Sequence, residues 1–174
     1  LVMGGGLGLG GVRQALAGLN SISRPLQAVV VTGHNTALRR ALKKPDFVFK
    51  HPMHVLGFTH QVRKLMGAAS LLVTKPGALT LSEALAAELP MVLFEPIPGQ
   101  EEENARYLSE RGAARWVKQS DDLAAEVDGI LADSKHMEEM KKAARAISNP
   151  FAAARVVDVL KERLTDLSRT ASGY

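Results

Sequence analysis

Short, apolar, β-branched runs recur along this chain, each pair separated by one amphipathic stretch, and that alternation restricts it to one class of fold. Residues 1–3, 27–32, 53–56, 70–74, 91–94 and 114–117 read as strands. Between them, Val12, Leu16 and Leu19 recur at helical spacing and predict a helix over 12–19. Further helices are predicted over 36–42, over 60–68 with Val62, Leu65 and Met66 on one side, over 79–89 before Pro90, and over 101–111 before Gly112. Residues 121–167 read as three helices, broken near Asp133 and at Asn149-Pro150. Strands that are apolar throughout are covered on both faces, so the sheet is parallel. The expected fold is α/β: a Rossmann-like parallel sheet of about six strands with helices on both faces. Ligands of such sheets bind beyond the carboxyl ends of the strands, near a topological switch point. The loops over 4–11, 33–35, 57–60, 75–80 and 95–101 are therefore where function is sought.

Composition narrows the partners. No cysteine is present, which excludes disulfides and thiolate metal sites. A net charge of +4 favours anionic partners such as nucleotides or lipid headgroups. The cations are scattered in small groups, Arg39-Arg40-Lys43-Lys44 and Lys141-Lys142-Arg145, and read mainly as solvated helix faces. With aromatics at only 5%, a stacking platform for nucleic acid is not expected. No apolar stretch approaches the ~20 residues of a spanning helix. His51 and His54 have His-x-x-His spacing without a third ligand, so no metal site is expected. A chain that opens inside a core strand is expected to be the second half of a larger enzyme.

Two loops carry chemistry. Gly4-Gly5-Gly6-Leu7-Gly8-Leu9-Gly10-Gly11 joins a strand to a helix, where small residues let backbone N–H groups approach a phosphate. It matches the dinucleotide fingerprint, but the second strand ends at Thr32-Gly33-His34 without the ribose-binding acid, which argues against NAD. Lys75-Pro76-Gly77-Ala78-Leu79-Thr80-Leu81-Ser82-Glu83 forms a second strand-to-helix turn. Thr80 and Glu83 have capping-box spacing, so Glu83 either ties back the helix start or holds both hydroxyls of a ribose. The pattern alone leaves these two even.

This second loop, with Glu95-Pro96-Ile97-Pro98-Gly99-Gln100-Glu101-Glu102-Glu103-Asn104-Ala105, the opening Met3-Gly4-Gly5-Gly6 with Gly8 and Gly10, and Val55-Leu56-Gly57-Phe58, resembles the C-terminal domain of GT-B glycosyltransferases. The nearest resemblance is to diacylglycerol glucosyltransferases and monogalactosyldiacylglycerol synthases. The lipid-linked N-acetylglucosaminyltransferase of cell-wall synthesis is more distantly similar. The resemblance runs from Leu1 to about Leu160.

It implies donor-binding roles for Gly5, Gly6, Gly8, Phe58, Thr59, Lys75, Gly77, Ala78, Leu79, Thr80, Glu83, Gln100, Glu101 and Asn104. Glu83 would hold the ribose and the 77–80 turn the diphosphate. Phe58 would cover uracil, whose edge the Thr59 backbone would read. Gln100 and Asn104, at i and i+4, would reach the sugar hydroxyls with Glu101. Lys75 is read as facing the diphosphate or as a solvated loop lysine. Glu102 and Glu103 are expected to complement the helix dipole. His34 and His60 are weaker site candidates. The implied function is the donor half of an inverting hexosyltransferase acting from UDP-glucose or UDP-galactose on a diacylglycerol-type lipid. No cofactor is expected, and the catalytic base would lie in a missing N-terminal acceptor domain. Partners would be the UDP-sugar, the lipid through that missing domain, and an anionic membrane surface. The expected location is cytoplasmic, peripheral at the inner face of the membrane. Residues 1–167 are expected to form the donor domain and 168–174 a frayed tail. Phe151, Val156, Val159 and Leu160 are expected to be partly bare. The alternatives are a nucleotide-binding subunit of a split glycosyltransferase and an epimerase-like domain.

Overall fold

The computed structural model describes residues 1–5, 11–118 and 122–171. Six strands, β1 (Val2–Met3), β2 (Ala28–Val31), β3 (Met53–Leu56), β4 (Leu72–Thr74), β5 (Met91–Leu93) and β6 (Ala114–Trp116), form one sheet in the order β3-β2-β1-β4-β5-β6. All five pairings are parallel. Val2 lies between Val30 and Val73, and Met3 between Val31 and Thr74. The order reverses between β1 and β4, which is the switch point of a doubly wound sheet.

The helices are α1 (Val12–Leu19), α2 (Thr36–Leu42), α3 (Val62–Ala68), α4 (Ala78–Ala86), α5 (Gln100–Glu110), α6 (Leu123–Ala132), α7 (Ser134–Ile147) and α8 (Ala152–Ala171). Successive strand residues point to opposite faces, and the core divides accordingly. Val2, Val30, Val73 and Val92 pack with Leu16 of α1 and Ile130 of α6. Met3, Val31, Leu72, Met91 and Leu93 pack with Met66 of α3, Leu81 of α4, Leu108 of α5 and Ala144 of α7. The uninterrupted apolar runs of the sequence are the signature of this two-sided burial.

Helix α4 ends earlier than the 79–89 expectation, and Pro90 is not what stops it. Glu88 adopts a left-handed φ of +53°. Its N–H donates to the Leu85 carbonyl at 3.0 Å, and the Leu89 N–H to the Ala84 carbonyl at 3.0 Å. This is a Schellman close with glutamate where glycine is usual. Glu88 is held there by a two-point ion pair with Arg145 of α7, at 2.8 and 2.5 Å. The hydrogen bond from Arg145 lowers the Glu88 pKa below the ordinary glutamate value. Helix α5 closes in the same way at Gly112, as its sequence predicts, with Ala113 N–H donating to Leu108 at 3.0 Å. The last helix continues to Ala171, beyond the expected end at 167; residues 172–174 lie outside the described residues. The described side chains of α8 are exposed, Phe151, Val156, Val159 and Leu160 among the flanking and helical residues.

Candidate functional site

The carboxyl ends of β4 and β5 carry the best-built polar cluster. Helix α4 begins at Ala78 with Gly77 as its cap, and no side chain caps it. The N–H groups of its first turn therefore have no intrahelical acceptor, and Ala78 and Leu79 are exposed, Leu79 by 84%. Thr80 sits in the third helical position rather than at the cap, so the capping-box reading of Glu83 fails. Glu83 lies in the second turn, exposed and without a hydrogen-bond or ion-pair partner among the described residues. Spacings of three and four residues place it on the helix surface with Thr80 and Leu79.

Loops β4–α4 and β5–α5 are tied together. The Asn104 amide donates to the Pro76 carbonyl at 3.0 Å. Glu101 accepts the Ile97 N–H at 2.7 Å and pairs with the Lys75 ammonium at 3.6 Å. Both charged side chains are largely covered, Lys75 13% exposed and Glu101 21%. Lys75 is thus neither a solvated loop lysine nor free, since its charge is matched by Glu101. Gln100, at the first position of α5, remains exposed beside the two braces. Glu102 accepts the Gly99 N–H at 3.3 Å and Glu103 pairs with Arg106 at 2.8 Å, so both serve the helix locally.

Phe58 and Thr59 follow β3 on the far side of β2 and β1 from β4. Phe58 is 54% exposed, and its ring stacks on His34 with centroids 4.4 Å apart. The Thr59 hydroxyl accepts the Gln61 N–H at 3.1 Å, which leaves its backbone outside any helix. Three strand spacings, ~14 Å in all, separate the ends of β3 and β4.

One residue of the site had no role in the sequence reading. Glu95, just after β5, has a left-handed φ of +42°. Its carboxylate accepts the Gly11 N–H at 2.6 Å, at the start of α1. A Cβ on residue 11 would run into the Glu95 carboxylate, so glycine there lets the carboxylate come this close to the helix start without the end of its side chain having to shift. Of the two helix starts that looked ready for an anion, that of α1 therefore has an internal carboxylate against it and that of α4 is open. Gly5 has φ +76° with open space where a Cβ would point. Gly6 and Gly8 lie outside the described residues. A positive-φ glutamate cannot be seen in a sequence; only the Glu95-Pro96 step after an apolar strand hints at a sharp turn.

A doubly wound sheet with an open helix start at its switch point defines a class of domain that binds ligands across the strand ends. The sequence model of the Glycosyltransferase family 28 C-terminal domain matches residues 1–160, and the chain belongs to this family. Among its relatives, the processive diacylglycerol beta-glucosyltransferase of Bacillus cytotoxicus is 36% identical over 163 residues, 93% of this chain and 42% of that protein. The protein of the same name from Bacillus licheniformis is 39% identical over 117 residues, 67% of this chain and 30% of that protein. The chain thus spans about two fifths of the length of the first of these. The fold is that of Acinetobacter baumannii MurG, with a TM-score of 0.75 at 23% identity over 92% of this chain and 49% of that one. It is also that of Anabaena Alr3699/HepE, solved with UDP-glucose, with a TM-score of 0.69 at 18% identity over 95% and 48%.

Proposed function

We propose that this chain is the donor-binding half of an inverting glycosyltransferase that moves a hexose from a UDP-sugar to a lipid hydroxyl of diacylglycerol type. The observation that carries the reading is the open start of α4, with Glu83 unpartnered one turn beyond it. An uncapped helix start favours a diphosphate, and a free carboxylate accepts from the two hydroxyls of a ribose. The base then lies toward Phe58 and the backbone of Thr59, about an extended nucleotide's span away across the sheet. The hexose lies toward β5, over Gln100, with Glu101 and Asn104 bracing that loop. The names of the Bacillus relatives support glucose as the sugar and diacylglycerol as the acceptor, and the Anabaena structure with UDP-glucose supports the donor.

In such a transfer the nucleoside diphosphate departs as negative charge grows on it. Fixed N–H groups of Ala78, Leu79 and Thr80 stabilise that charge without reorganising, and this route requires no metal or other cofactor. The group that deprotonates the acceptor lies outside this chain, so the chain alone binds donor without transferring sugar. The exposed apolar side of α8, with Val156, Val159 and Leu160, covers part of the remainder of the enzyme in this reading. Among the described residues no helix is long and apolar enough to cross a membrane. The lipid acceptor of this reading goes with peripheral contact at an anionic membrane surface on the cytoplasmic face.

Titration calorimetry with UDP, UDP-glucose, UDP-galactose, GDP and NAD tests the reading. UDP and a UDP-hexose should bind and NAD should not. Binding of NAD with none of UDP overturns it.

A further inference from the structure

The loops after β2 and β3 hold an arrangement of rings that the donor reading does not by itself require. The Thr32 hydroxyl and N–H both donate to the Leu56 carbonyl, at 3.1 and 3.0 Å, and lock the ends of β2 and β3 together. Gly33 then takes φ +57°, a left-handed turn that glycine adopts freely. Asn35 caps α2 by accepting the Leu38 N–H at 2.8 Å. His34 is thus held between a fixed turn and a fixed cap. Its ring lies on that of Phe58, 4.4 Å between centroids and 19° from parallel. His60 meets the Phe58 ring edge-on at 4.9 Å and 89°. Arg39 of α2 packs beside Gly57, its guanidinium 3.3 Å from where a Cβ would stand.

A phenylalanine that is 54% exposed yet contacted by two imidazole rings is a prepared surface rather than a stray apolar residue. Its remaining exposure suits a second flat, weakly polar ring. We propose that His34 is a positioning residue of the base subsite: it backs Phe58 so that a pyrimidine base stacks on the opposite face of the same ring. The order across the subsite is then imidazole, phenyl, base. His34 acts through Phe58 and makes no contact with phosphate or sugar. The proposal rests on the donor reading above and adds the residue that orients its base platform.

The experiment compares His34→Ala and His34→Phe in this chain, with UDP and uridine monophosphate as ligands. His34→Ala should weaken both by the same factor, roughly three- to tenfold, the range of one aromatic contact. His34→Phe should restore both, because a ring of any kind can back Phe58. The melting temperature should not move in either variant, since His34 is exposed. Unchanged affinity in His34→Ala overturns the proposal. Tighter binding in that variant also overturns it, because His34 would then be obstructing the face the base uses. Failure of His34→Phe to restore binding removes stacking as the cause. Wild-type chain that binds neither ligand defeats the donor reading itself, an outcome distinct from any of these.

Discussion

Replacing Glu83 with alanine separates a structural from a binding carboxylate more cleanly than any other change in this chain. The side chain is exposed, has no partner among the described residues, and lies beyond the first turn of α4, where the helix dipole has faded. Alanine is the better helix former by a few tenths of a kcal/mol. At about 2–4 °C per kcal/mol for a domain of this size, the melting temperature should hold within about a degree or rise slightly. A carboxylate accepting ribose hydroxyls contributes ~1.5–3 kcal/mol, so UDP affinity should fall about ten- to hundredfold. Differential scanning calorimetry and UDP titration on the same samples read both quantities. A fall of several degrees with unchanged UDP affinity refutes the reasoning and returns Glu83 to the helix.

The strut and the sugar contact on α5 should separate. Asn104→Ala, which loses the bond to Pro76, should cost ~1 kcal/mol and about 2–4 °C in thermal melts. Gln100→Ala should leave the melting temperature alone and weaken UDP-glucose more than UDP in paired titrations. Glu95→Ala and Glu95→Gly lose the same carboxylate at Gly11, but alanine keeps a side chain at left-handed φ, so it should be the less stable by ~1 kcal/mol in urea unfolding. Arg145 depresses the pKa of Glu88, so their pairing stabilises the fold above the ordinary glutamate value and is lost as pH falls through the lowered one. Acid titration of the melting temperature should therefore show a steeper drop in wild type than in Arg145→Ala between those two values.

Periodicity located the elements well where local signals were unopposed. Val12, Leu16 and Leu19 mark α1, and the 36–42 and 53–56 stretches are α2 and β3. It failed at the end of α4 because Glu88 occupies a position where glycine normally announces the stop, held there by an arginine 57 residues away. The site shows the same division. Thr80 and Glu83 carry capping-box spacing, yet the helix begins two residues before Thr80, with Gly77 as its cap. That register depends on the β4 strand end and the brace of Asn104 to Pro76. Glu95 reaches Gly11 across 84 residues only because β1 and β5 flank β4 in the sheet. The Lys75–Glu101 pair likewise joins two loops that become neighbours through the β4–β5 pairing. Local patterns reveal which loops matter, and the sheet order decides which of their side chains remain free.

The central claim is that UDP-glucose lies across the strand ends from Phe58 to Gln100, over the start of α4. Backbone amide shifts of this chain, recorded as UDP-glucose is added, test it most directly. The account predicts saturable changes at Phe58, Thr59, Ala78, Leu79, Thr80 and Gln100, with Glu83→Ala reducing them at equal ligand. Changes confined to the opposite end of the sheet, around Leu26, Ala68 and Leu131, or none at all, would contradict it.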